Sequence, residues 1–183
     1  KFIYVNIFAQ GTLGLVSEGM WIELLSGILE RQDVYLIFSQ GGFMDRKNLP
    51  QLASIMHDLA QRVGPSKARF LLEAPENLSV GRVQEIMQTM DFVITLDTGF
   101  SHLATALNVP QVEFMTLPKS FSQWGTYRKN SLIVDHDFLE HLFQNPKKGY
   151  QAIQGFVRMS LAATDAPRRR KVLEFVGPPA PVT

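Results

Sequence analysis

No cysteine occurs among the 183 residues, which removes disulfides, thiolate catalysis and cysteine-ligated zinc. An excess of one charge is also missing. The 18 Lys and Arg stand against 17 Asp and Glu, and the net +1 supplies no general attraction to nucleic acid or a membrane surface. No apolar run approaches the roughly 18 residues of a membrane span, and no secretory leader is visible. His57, His102, His136 and His141 are scattered, and no element carries Asp or Glu at metal-ligand spacing, so no metal is expected. A Gly-x-Ser-x-Gly elbow and a Walker loop are absent as well. What remains is an ordinary globular composition, 45% hydrophobic and 19% charged, in a length that suits one well-cored domain or at most two small ones. Cytoplasm is the expected compartment. The chain opens at Lys1 without Met and enters a strand at once, so a segment of a longer protein is expected.

Apolar periodicity divides the chain into alternating strands and helices. Strands are expected at Phe2–Phe8, Val34–Ser39, Ala68–Glu73, Phe92–Leu96, Gln111–Met115 and Ser131–Val134. Between them lie a helix capped by Ser17 with Trp21 in its apolar stripe, one opened by Pro50 and closed at Gly64-Pro65, and one begun by Ser79 with Val80, Val83, Ile86, Met87 and Met90 inward. Helical patterns at Phe138–Phe143 and Tyr150–Leu161 follow. Strands separated by helices at this spacing predict an α/β, three-layer domain with a parallel sheet of about six strands over residues 1–164. Residues 165–183, with Arg168-Arg169-Arg170-Lys171 and a Pro-rich end, are expected to form a loosely ordered tail. Asp135-His136-Asp137 is read as a turn and helix cap.

The chain is organised around Asp91 to Pro110. Phe92 to Leu96 is apolar enough to be buried on both faces of a sheet. The period then changes at Asp97-Thr98-Gly99, and Phe100, Leu103, Ala104 and Leu107 recur on one face of a helix. Asp97 or Thr98 can cap that helix, and Gly99 leaves its first backbone amides open to a ligand. At about 100° per residue, His102 projects opposite the apolar stripe, on the side of Thr98. Thr98, Gly99 and His102 can therefore offer a hydroxyl, amides and an imidazole to one phosphate-like group. The same residues also make a capped helix with a surface histidine.

The order of a strand, Asp97-Thr98-Gly99-Phe100-Ser101-His102, Leu103-Ala104-Thr105-Ala106-Leu107, Pro110 and another strand resembles the heptosyltransferase-like glycosyltransferases, family 9. The resemblance runs from Phe2 to about Val134 and includes Leu78-Ser79-Val80. It implies the Rossmann-like, carboxyl-terminal half of a GT-B fold. It also implies that Asp97, Thr98, Gly99 and His102 hold the diphosphate and sugar of a donor, ADP-heptose or a related nucleotide sugar. Ser101, Asn77 and Glu76 can contact the ligand at the cleft edge, and capping or turn chemistry explains each equally well. The nucleoside would lie near Gly41, Gly42 and the Glu73 to Leu78 segment, including Glu76 and Asn77, with Asp45 the nearest acidic candidate for its ribose. Trp124 either lines the cleft or anchors its loop. No cofactor and no nucleic acid partner are implied.

Two departures from the family pattern stand out. The family usually has a Lys near a Trp after the first strand, whereas no Lys or Arg lies between Asn6 and Trp21 here. A charge-assisted contact worth about 1.5 to 3 kcal/mol is thereby lost, unless amides around Gly11 to Gly14, or Lys119 or Arg128, replace it. The amino-terminal, acceptor-binding domain, which supplies the catalytic base in such enzymes, is not in this chain. The acceptor implied is a glycolipid of lipopolysaccharide type, at the inner face of the inner membrane, with a protein acceptor second. The readings kept beside this one are a non-catalytic module of the same fold and a nucleotide-sugar epimerase.

Overall fold

A computed structural model describes residues 1–8, 16–31, 33–40, 49–115 and 130–163. Strands β1 (Phe2–Asn6), β2 (Tyr35–Phe38), β3 (Leu71–Glu73), β4 (Phe92–Leu96), β5 (Gln111–Phe114) and β6 (Ser131–Val134) form one sheet in the order β3-β2-β1-β4-β5-β6. Every pairing is parallel. The described helices are α1 (Glu18–Arg31), α2 (Leu49–Val63), α3 (Pro65–Ala68), α4 (Val80–Met87), α5 (Gly99–Ala106), α6 (His136–Gln144) and α7 (Pro146–Ala163).

Side chains alternate across the sheet, so each strand feeds two cores. Ile3, Val5, Ile94 and Val112 join residues of α1, α2 and α7 on one face. Phe2, Tyr4, Ile37 and Val93 meet Val83, Ile86 and Met87 of α4 and Ala104 of α5 on the other. This is the expected three-layer α/β arrangement. Burial on both faces explains why β1 and β4 read as continuous apolar runs, since every residue of each is buried. Trp21 of α1 is core, as its stripe predicts, and meets Phe114 edge-on at 5.2 Å between ring centroids.

Local signals account for several element ends. Ser17 Oγ accepts from Met20 N, Ser79 Oγ from Arg82 N, and Asp135 Oδ1 from Phe138 N, each at the start of a helix. Gly64, at φ 77°, ends α2.

Several expected boundaries move. Ala68 to Phe70 are not strand. Pro65 sits at the first helical position and opens the short α3, so β3 begins only at Leu71. β1 stops at Asn6 and β5 at Phe114, and the last two helices are longer than their apolar stripes. Val80 is the clearest error. It stands at the first position of α4, 77% exposed, because the inward face of that helix begins one turn later at Val83. The tail from 165 lies outside the described residues.

Candidate functional site

The strand order runs outward in one direction from β1 and in the other from β4. At that reversal the connections leaving the carboxyl ends of two neighbouring strands diverge to opposite faces, opening a crevice where ligands of such folds bind. The ends that meet there are Asn6 with the residues after it and Asp97-Thr98-Gly99.

Thr98 is extended (φ −151°, ψ 176°) and is the N-cap of α5. Its Oγ1 accepts from Phe100 N at 3.2 Å, and its carbonyl takes Ser101 N at 3.0 Å and Ser101 Oγ at 2.8 Å. Ser101 is fully buried and turned back onto Thr98, so it braces the helix start from behind. Phe100 seats the same turn on the sheet, its ring 5.8 Å from that of Tyr4. Asp97 is half-buried and held by a backbone bond from its N–H to the Phe114 carbonyl, 2.9 Å. Gly99 is exposed, and a Cβ there would meet nothing within 4 Å. Neither packing nor a left-handed backbone therefore demands glycine at this position. His102 is exposed on the outer side of α5, opposite buried Ala104 and the half-buried Leu103 and Leu107. Leu78 is half-buried against the α4/α5 core, beyond the end of β3. Gly41, Gly42 and Asp45 lie outside the described residues, as do Gly11 to Gly14, Lys119, Trp124 and Arg128.

Sequence reading passed over a buried polar row beneath this helix start. Asn6, Thr95 and Glu113 are in register across β1, β4 and β5, and all three are fully buried. Asn6 Nδ2 donates to the Phe8 carbonyl at 2.9 Å, to Thr95 Oγ1 at 3.3 Å and to Thr98 Oγ1 at 3.4 Å. Its Oδ1 has no partner among the described residues. The missed signal was a polar residue inside each of two otherwise apolar strands. A second pair, Gln40 Nε2 to Glu73 Oε2 at 2.8 Å, bridges the region just beyond β2 and the end of β3.

The chemistry available is that of anion binding. The amides of Phe100 and Ser101 are taken by Thr98, which leaves that of Gly99 at the mouth of the helix, where the dipole favours negative charge and a hydroxyl and an imidazole stand one turn apart. Among the described residues no group of three or more His, Asp or Glu is placed to hold a metal ion. No helix among them is long and apolar enough to cross a membrane. A shallow depression of about 330 Å3, open solvent included, lies elsewhere, between α1 and α7 beside Gly27 and Gln154.

The fold has solved counterparts. Escherichia coli heptosyltransferase WaaC with ADP superposes with a TM-score of 0.61 at 19% identity, over 87% of this chain and 43% of that one. For E. coli ADP-heptose LPS heptosyltransferase II the figures are 0.62 and 15%, over 88% and 46%. For WaaC with ADP-2-deoxy-2-fluoro heptose they are 0.56 and 22%, over 86% and 42%. The chain thus spans a little under half the length of these structures, and at such identities the likeness is one of fold. A comparison with curated proteins returns no match. The sequence pattern of glycosyltransferase family 9 (heptosyltransferase) matches residues 44–145, more than half of the chain and the whole of the Thr98 helix start. With that match over a doubly wound sheet of the same fold, the chain belongs to glycosyltransferase family 9, the heptosyltransferase family.

Proposed function

We propose that this chain is the donor-binding part of a glycosyltransferase, holding a nucleoside-diphosphate sugar, ADP-heptose or a close relative, at the β1/β4 crevice. The observation that carries this reading is the Thr98-Gly99 helix start at the strand-order reversal, with an exposed glycine that the fold itself does not require. ADP and an ADP-heptose analogue are named with the WaaC structures, which supports the same ligand class here.

In this reading the Gly99 amide and His102 donate to diphosphate oxygens at the positive end of α5, and Asp97 faces the sugar. The bond between the anomeric carbon and the diphosphate oxygen breaks as an acceptor hydroxyl attacks the opposite face, with inversion. The departing charge is met by amide, dipole and imidazole, so a metal is not needed. The catalytic base and the acceptor site belong to an amino-terminal domain. The acceptor is a glycolipid of lipopolysaccharide type, approached from the cytoplasmic face of the inner membrane. Gly41, Gly42, Asp45 and Leu78 belong to the nucleoside end. One observation favours a second reading, a non-catalytic module of the same fold: no Lys or Arg lies between Asn6 and Trp21 to meet the diphosphate.

Thermal melting with ADP, ADP-heptose, UDP and UDP-sugars separates the two. At ligand 100-fold above Kd the donor reading expects about 2.7 kcal/mol of added stability from an ADP compound. His102→Ala and Gly99→Ala should abolish most of that gain. Gly99→Ala should do so without lowering the unliganded melting temperature, because its methyl enters open space and improves helix propensity. No shift with any nucleotide would leave the non-catalytic module. Turnover of a nucleotide sugar without acceptor would mark an epimerase.

A further inference from the structure

The hydroxyl of Thr98, at the cap of the helix, can either donate or accept. It has two lone pairs and one proton. Phe100 N already donates to its oxygen at 3.2 Å, and Asn6 Nδ2 approaches it at 3.4 Å. The orientation of the Asn6 amide follows from its third neighbour. The Phe8 carbonyl, 2.9 Å away, can only accept, so the atom facing it is the NH2 nitrogen. One Asn6 proton goes to Phe8, and the other is shared between Thr95 and Thr98.

With both lone pairs engaged by donors, Thr98 is left with its proton. The nearest internal acceptor is Thr95 Oγ1, at a long 3.4 Å. Thr95 itself donates to the Leu96 carbonyl at 2.9 Å and is already approached by Asn6. A negatively charged ligand oxygen at the start of α5 would be a shorter and stronger acceptor than this. Asn6 is fully buried and makes its bonds through nitrogen, while its carbonyl oxygen has no partner among the described residues.

We propose that Asn6 is a positioning residue of the anion site, acting through Thr98. Its buried amide commits the Thr98 hydroxyl to donating, and so selects ligand groups with acceptor-only, anionic oxygens such as those of a diphosphate. This rests on the donor-binding reading and adds to it the group that sets the polarity of the cap. A buried residue at the carboxyl end of β1 then controls what the end of β4 can bind.

The test uses the full chain with ADP and inorganic pyrophosphate as probes, read by calorimetric titration beside a melting curve for each variant. Asn6→Ser removes the amide donor. It should weaken ADP about tenfold, the scale of one hydrogen bond to a charged group, yet by less than twofold when Thr98→Val has already removed the hydroxyl. Asn6→Asp keeps the shape but offers an acceptor, which turns the Thr98 proton inward. Its affinity, taken relative to wild type at each pH, should be low at pH 8 and recover only in part as the introduced carboxyl is protonated, because its single O–H goes first to the Phe8 carbonyl. Either variant suffices if the other fails to fold.

Equal losses from Asn6→Ser with and without Thr98→Val, or an Asn6→Asp variant that binds as wild type across pH, would overturn the proposal while leaving the donor site in place. A wild-type chain that binds neither probe would bring down the donor reading itself, and this inference with it.

Discussion

Tyr4 shows how far burial alone can move a single group. It points from the middle of β1 into the α4/α5 core, 1% exposed, against the ring of Phe100. Burial pushes its phenol up to about 12, with the hydrogen bond to Ser39 acting weakly the other way. In the unfolded chain the group loses its proton near pH 10, while the native state keeps it until about 12. Between those values the unfolded state binds fewer protons, so stability falls as pH rises, by about 2 to 3 kcal/mol across the window. Urea melts at pH 9 and pH 11.5 should show this loss in the wild type. Tyr4→Phe should be slightly less stable at pH 9, through the lost Ser39 bond, but should shed most of the alkaline slope. A slope unchanged in Tyr4→Phe would assign it to other groups, with Tyr150, whose phenol is also raised by partial burial, the next candidate. Asn6 and Thr98 teach a related lesson: Thr98 was legible as a cap from its place before an apolar stripe, but Asn6 was not legible as its partner. The two are separated by 92 positions, and only strand pairing brings them within 3.4 Å.

Among elements, the contact between α1 and α7 is a close one at Gly27. A Cβ on Gly27 would come within 2.0 Å of Gln154 Nε2. Gln154 is 8% exposed and reaches the Leu24 carbonyl at 3.4 Å, while Ile153, Val157 and Leu161 beside it complete the core under α1. Gly27→Ala should therefore displace the end of Gln154 and lose its bond to Leu24, a cost of about 0.5 to 1.5 kcal/mol that the better helix propensity of alanine offsets in part. Chemical denaturation of that variant measures it, and a stabilised protein would mean that Gln154 can swing out at no cost. Sequence periodicity found both helices because their apolar stripes are long. It gave no hint of which glycine lies under which side chain, since helix-on-helix register is a matter of tertiary packing. The short α3 was missed for a different reason. Pro65 after Gly64 reads as a stop, and only the geometry shows the same pair starting another turn.

For the whole molecule, the consequence of the donor-binding reading is a division of labour. A glycosyl transfer needs the acceptor hydroxyl held against the donor carbon, and a cleft with one wall forfeits most of that positioning. The chain alone, given ADP-heptose and a lipopolysaccharide-core acceptor, should bind donor yet release no ADP above background. A product assay by mass spectrometry checks this. Efficient transfer by the isolated chain would show that both substrates are positioned by these residues and would refute the assignment of acceptor and base to another domain.

Six strands, a parallel three-layer α/β fold and the helix start at Thr98-Gly99 were determined by the sequence by itself. These depend on local periodicity, caps and breakers, which act over a few neighbours and leave their trace in the chain. The order of the strands, the reversal between β1 and β4, the buried row of Asn6, Thr95 and Glu113 and the seating of Gln154 on Gly27 were decided only by the tertiary structure. Each is a meeting of residues remote in the chain, where one polar side chain among apolar neighbours acquires its meaning from the partner that the fold sets against it.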